Sequence, residues 1–176
     1  HPPGAHFYYK GGDALALGAV VERVTGMPLA AWWGRTVWRE VRGAHQGHWE
    51  ADRKGASMAG SGAQFRLDDW ARIALWVLEK LKSPDCMGDF MRAATSTQIK
   101  NEHLTPVGKS FAGYGYQWWT ENRFAPGFWA VGYAGQKMAV NPDTGKVLIK
   151  FSSRTGGGSE TALYRLFRDW NRAGKG

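Results

Sequence analysis

The sequence has one cysteine in 176 residues, Cys86. A single thiol excludes an internal disulfide framework. It lies in Ser83-Pro84-Asp85-Cys86-Met87-Gly88, a turn-like stretch with no histidine pattern beside it, and reads as a structural or incidental thiol. It leaves a periplasmic and a cytoplasmic location equally open. No apolar run has the length of a membrane span. The 23 Lys and Arg outnumber the 15 Asp and Glu, for a formal charge of +8, but they are scattered with acids nearby. No basic run interleaves with aromatic residues, so the footprint of a nucleic-acid binder is missing. There is no internal repeat, no low-complexity linker and nothing that sets an oligomeric state. An initiator Met and a signal peptide are also absent. The chain opens inside a Pro/Gly turn, His1-Pro2-Pro3-Gly4-Ala5-His6-Phe7, which leads to the expectation that its natural N-terminal part is missing.

Hydrophobic residues make up 43% of the chain, enough to pack an interior. Ten tryptophans supply large core and cleft-wall side chains, or an aromatic-lined cleft. A first helix is expected with Asp13 as its cap and Leu17, Val20, Val21 and Val24 as one apolar face. Gly26 closes it. A second starts at Met27-Pro28 and turns Leu29, Trp32, Trp33, Val37 and Trp38 inward. Residues 43–62 look irregular. Asp68 or Asp69 then opens a strong helix whose face is Trp70, Ile73, Ala74, Val77, Leu78 and Leu81, stopped by Ser83-Pro84. Another helix is expected over Asp89–Thr97.

The pattern then changes to strands. They are expected over Tyr114–Trp119, Phe128–Tyr133, Lys137–Val140 and Lys146–Ser152. The last two form a hairpin through Asn141-Pro142-Asp143-Thr144-Gly145. Leu163, Leu166, Phe167 and Trp170 give a closing helix its apolar face. Helices over 1–100, then antiparallel strands and a terminal helix over 101–176, make an α+β architecture.

Three stretches could carry chemistry. Pro3-Gly4-Ala5-His6-Phe7-Tyr8-Tyr9-Lys10-Gly11 sets tyrosines just before a helix. Gly60-Ser61-Gly62-Ala63-Gln64-Phe65 is a small-residue loop that can bring backbone near a ligand. Gly132-Tyr133-Ala134-Gly135-Gln136 lies between two strands, where glycines permit close approach. His45 and His48 stand three apart beside Glu50 and Asp52, on an irregular stretch without the helix-borne spacing of a zinc motif, so no metal site is expected.

The order Pro-Gly-x-x-Phe-x-Tyr, Leu17-Gly18, Glu22-Arg23-x-Thr25-Gly26, Gly60-x-Gly62 ahead of Asp-x-Ala71-Arg72, Tyr114-Gly-Tyr-x-Trp118-Trp119, then Gly132-x-x-Gly135-Gln136 before a hairpin resembles the β-lactamase-related serine hydrolases. That family includes class C β-lactamases, D,D-peptidases, family VIII esterases and 6-aminohexanoate-dimer hydrolases. The Trp-rich strand and the Gly-Gln ending look closest to the last branch. The resemblance runs from Pro2 to the terminal helix and implies the C-terminal portion of one β-lactamase/transpeptidase-like catalytic domain, with no cofactor.

It further implies a nucleophile in Ser-x-x-Lys. No serine here has Lys three positions later, so both residues would lie upstream. The Tyr of the family's Tyr-x-Asn matches Tyr9, as general base and acid, but Gly11 holds the Asn position. The strand motif Lys-Thr-Gly or His-x-Gly is matched to Tyr133-Ala134-Gly135, without its cation. The backbone N–H of Gln136 would serve the oxyanion hole. Trp118 and Trp119 would line a substrate pocket with Tyr133. These departures favour a small ester, amide or peptide substrate over a β-lactam. A non-catalytic penicillin-recognition-type module that binds peptides or cell-wall fragments is the rival reading.

Overall fold

The computed structural model describes residues 2, 4–102, 108–153 and 160–173; Pro3 of the opening turn lies outside them. The chain divides into two compact units, Tyr9–Trp76 and a second made of His1–Tyr8 with Val77–Gly176.

In the Tyr9–Trp76 unit, helix α1 (Gly11–Thr25) ends at Gly26, as expected. Gly26 takes φ 68°, and its N–H donates to Glu22 O at 2.9 Å. Asp13 is not its cap: Lys10 is, in an extended conformation, and Asp13 sits in the first turn, where its charge suits the helix dipole. The expected apolar face is also corrected. Leu17, Val20 and Val24 are 53%, 58% and 79% exposed, and Gly18 is the buried residue. The cause is a backbone that comes too close for larger side chains. A Cβ on Gly18 would stand 2.4 Å from Ala59 Cβ, and one on Gly60 3.1 Å from Gly11 O. Glu22 Oε1 anchors this approach by accepting from Leu29 N at 2.9 Å and Ser57 N at 3.3 Å.

The second expected helix is broken into α2 (Leu29–Arg35) and α3 (Val37–Val41). Thr36 is the break. Its φ of −113° and ψ of −89° leave helical space, while its hydroxyl donates to Trp32 O at 2.7 Å. Strand β1 (His48–Trp49), inside the otherwise irregular stretch, pairs antiparallel with β2 (Ala63–Gln64) just after it. Helix α4 (Leu67–Leu81) carries Asp68 and Asp69 in its first turn and buries Ile73, Ala74, Val77 and Leu78, as the periodicity predicts.

In the second unit, α5 (Cys86–Ala94) starts three residues earlier than expected. The Asp85 carboxylate accepts from Gly88 N at 2.9 Å and so caps it. Strands β3 (Ile99–Lys100), β4 (Phe111–Tyr114), β5 (Trp119–Asn122), β6 (Phe128–Val131), β7 (Lys137–Asn141) and β8 (Lys146–Lys150) form one antiparallel sheet in sequence order. The hairpin holds as expected, with Lys137 opposite Lys150 and Asn141 opposite Lys146. The expected strand Tyr114–Trp119 is a turn instead. Gly115 N donates to Trp118 O at 2.8 Å, and Gln117 takes φ 66°. Docking on the end of α5 enforces it: Tyr116 N donates to Ala94 O at 2.9 Å, and a Cβ on Gly115 would collide with that oxygen at 2.0 Å.

Helix α6 (Glu160–Arg172) covers the sheet with Tyr164, Phe167 and Asn171. Its expected face is thus rotated, and Leu166 and Trp170 are exposed. The rotation has a polar cause. Asn171 Oδ1 accepts from Asn141 Nδ2 at 2.8 Å and from the Thr144 hydroxyl, tying the helix to the hairpin turn. Tyr164 and Phe167 meet Trp129 edge-on at 4.9 and 5.3 Å, above a core of Phe111, Tyr114, Trp119 and Ala139. The architecture is α+β, with helices ahead of an antiparallel sheet and a terminal helix on it.

Candidate active site

Tyr9 stands two residues before α1 and is 38% exposed. Gly11 is the first helical residue, and a Cβ built on it meets nothing within 4 Å. No close neighbour therefore requires a glycine there. The loop through Gly60 approaches this same helix start rather than solvent, through the contact with Gly11 O.

In the sheet unit, Tyr133–Gly135 form a single tight turn between β6 and β7. Ala134 takes φ 56° and Gly135 φ 86°, the left-handed region that costs a residue with a Cβ. Gly132 N donates to Gln136 O at 2.9 Å and closes the turn. Gln136 N donates to Tyr133 O at 3.3 Å, the long end of the hydrogen-bond range. Its side chain is fully committed: Oε1 accepts from Ser152 N at 3.0 Å and Nε2 donates to Ser152 O. Tyr133 is 88% exposed.

A cation reaches the Tyr133–Gly135 turn from the neighbouring strand. Lys150, on β8, donates from Nζ to Gly135 O at 3.0 Å. Reading the sequence for a cation inside the motif misses it. The signal that finds it is register, since Lys150 pairs with Lys137, the residue after Gln136.

Trp119 does not line a pocket. It is 2% exposed and packs in the core against Tyr114 at 4.8 Å and Phe111 at 5.6 Å. Pairing across β4 and β5 turns it inward. Trp118 is half-buried, edge-on to Phe128 at 5.0 Å.

His45 has partners other than those nearest it in sequence. The donor atoms of His45, Asp68 and Asp69 lie within 4.8 Å of one another. Asp69 is buried and already engaged, accepting from Ala44 N at 2.7 Å and meeting His45 Nδ1 at 3.0 Å. Burial is the strongest influence on its carboxyl and pushes the pKa up. The hydrogen bonds from Ala44 and His45, with the His45 charge, together outweigh it and hold the pKa below the ordinary value. The cluster fastens the Ala44–His45 segment to the start of α4.

The family model for Beta-lactamase matches residues 1–169, and the chain belongs to that family. It is 22% identical over 154 residues to a 6-aminohexanoate-dimer hydrolase of Paenarthrobacter ureafaciens, covering 84% of this chain and 39% of that one. Among solved structures it superposes on one titled "Putative 6-aminohexanoate-dimer hydrolase from Bacillus anthracis" with a TM-score of 0.77 and 20% identity, over 98% of this chain and 45% of the other. A β-lactamase from Mycobacterium bovis gives a TM-score of 0.74 at 18% identity, over 98% and 66%. The fold is thus the β-lactamase/transpeptidase-like one. The chain spans less than half the length of the two 6-aminohexanoate-dimer hydrolases it matches.

Proposed function

We propose that the whole protein carrying these residues is a serine hydrolase that cleaves an ester or amide bond through an acyl-enzyme. The family match over residues 1–169 carries this reading. The nucleophilic Ser and its Lys would come from sequence outside these residues, and the 176 residues alone would then be inactive. A serine hydroxyl needs a base to take its proton. Tyr9 is the proposed base, and it returns the proton to the leaving group. A phenol with an ordinary pKa near ~10 does this at neutral pH only beside a cation that favours its anion, the part assigned to the Lys.

Gln136 N–H is the proposed oxyanion donor. Its bond to Tyr133 O, at 3.3 Å, is weak enough to exchange for an anionic oxygen. Lys150 stands beside the same turn, but its ammonium is spent on the Gly135 carbonyl. Gly11 lacks an amide to orient a substrate amide, and Tyr133 lacks a cation for a substrate carboxylate, which together favour short esters and amides over β-lactams.

The test is fluorophosphonate labelling of the full-length protein and of its Tyr9→Phe variant. Labelling at a serine outside these residues, slowed strongly by Tyr9→Phe, is expected. Equal labelling of both would remove Tyr9 from the activation role. Nitrocefin turned over as fast as short esters would overturn the substrate preference.

A further inference from the structure

The Gly135 carbonyl and the Gln136 N–H are the two ends of one peptide group. Lys150 Nζ holds the first end, donating to Gly135 O at 3.0 Å. The peptide bonds of the described residues are all trans, so the Gln136 N–H points away from that oxygen. It has only the long 3.3 Å bond to Tyr133 O.

Ion pairing does not account for where Lys150 stands. It lies directly opposite Lys137 in the β7–β8 ladder, and like charges so placed repel. Lys137 is buried and is answered by Glu160 at 2.9 Å. No carboxylate among the described residues pairs with Lys150. Half-buried at the end of its strand, Lys150 turns its charge onto a backbone oxygen. A cation on a peptide oxygen draws electron density out of the nitrogen and leaves the N–H more positive. Hydrogen bonds that share one group strengthen each other in this way, by about 10–30% per bond. A charged donor makes the stronger kind of bond.

We propose that Lys150 is a positioning residue for the acyl transfer: it polarises the Gly135–Gln136 peptide and so makes the Gln136 N–H a stronger oxyanion donor. The inference rests on the assignment of Gln136 above. Lys150 reaches the oxyanion through the peptide and not by contact, and its charge is in place before the oxyanion forms. Losing an oxyanion donor outright costs about 10²–10³ in kcat. Losing its polarisation, at 10–30% of that effect on a logarithmic scale, corresponds to about two- to eightfold.

The test uses the full-length protein with ¹⁵N-glutamine and glycine labelled at its nitrogen and its carbonyl carbon. Gly135-Gln136 is the one Gly-Gln step in these 176 residues, and Gln136→Glu assigns its signal by deleting it. In Lys150→Met the Gly135 carbon and the Gln136 nitrogen should both move upfield. The Gly132 amide, whose bond to Gln136 O closes the turn, should stay in place. On a short ester, kcat should fall about two- to eightfold while KM changes by less than about twofold. Lys150→Arg should restore shifts and kcat, and Lys150→Gln, a neutral donor, should fall between. Unmoved Gly135 and Gln136 signals would overturn the proposal. So would a Gly132 amide displaced as far as they are, which marks a change of turn shape, or a kcat equal to wild type. A wild-type protein without serine-dependent ester turnover would sink the acyl-enzyme reading, and the Gly135 and Gln136 signals would still decide the Lys150 link. Should Lys150→Met fail to fold, Lys150→Gln decides it.

Discussion

The side chain of Gln136 grips the backbone of Ser152 from both sides, taking the N–H on Oε1 at 3.0 Å and giving its own amide hydrogen to the carbonyl. It continues the β7–β8 ladder one step past the last strand pair. Replacing Gln136 by Ala leaves both Ser152 groups without that partner and should lower the unfolding free energy by about 1–3 kcal/mol. Gln136→Glu keeps the acceptor but loses the donor, and should fall between wild type and Ala. Urea titration of the three chains measures the order.

Gly18 and Gly11 should respond oppositely to the same change. Gly18→Ala drives a methyl to within 2.4 Å of Ala59 Cβ and should cost about 1–3 kcal/mol. Gly11→Ala meets open space and should gain up to about 1 kcal/mol of helix propensity. Thermal midpoints moving in the same direction would contradict the packing of the 57–62 loop on α1.

Stability should fall in acid through Asp69. Its carboxyl pKa in the folded chain lies below the ordinary value. The stabilisation is therefore complete above the unfolded pKa, near ~4, and is lost as pH drops through the lower folded value. Asp69→Asn should flatten that acid limb. It should also cost on the order of 1–3 kcal/mol at pH 7, because Asn cannot pair with His45 as a carboxylate does. Denaturation curves between pH 2.5 and 7 give both readings.

Asn171→Leu should destabilise the chain by about 2–4 kcal/mol despite placing an apolar residue on a buried face. Buried Asn141 and half-buried Thr144 would lose their shared acceptor, a cost summed over the two donors. A variant as stable as wild type would mean that the hairpin turn is not fastened to α6 through these groups.

With Tyr9 as the proposed base, Tyr9→Phe in the full-length protein should reduce turnover by about 10²–10⁴, the range for loss of a general base, and by far more than it lowers the thermal midpoint. Gly11→Asn should be tolerated sterically, so any gain in amide turnover from it would be chemical.

Where burial alone decides, the sequence was readable. The face of α4, the stop at Ser83-Pro84, the hairpin around Asn141–Gly145 and the closing Gly26 all follow from periodicity or turn chemistry. Polar and backbone contacts decide the rest. Tyr114–Trp119 has the aromatic content of a strand, but the α5 carbonyl of Ala94 bends it. Leu166 and Trp170 complete an apolar period that the amide of Asn171 rotates outward. The same holds for chemistry. Tyr9 and the Tyr133–Gln136 turn stand out by motif. Lys150 reaches Gly135 only through strand register, and His45 finds Asp69 across 24 positions.

The outward stripe of α1 has a consequence for handling the chain. Leu17, Val20 and Val24 lie on neighbouring turns and form a contiguous oily surface on a molecule with a formal charge of +8. Charge repulsion keeps copies apart at low ionic strength, and salt shortens its reach to about 8 Å at physiological levels. Sulfate should then salt the protein out early and retain it strongly on a phenyl column, because excluded anions strengthen apolar contact while screening removes the opposing force.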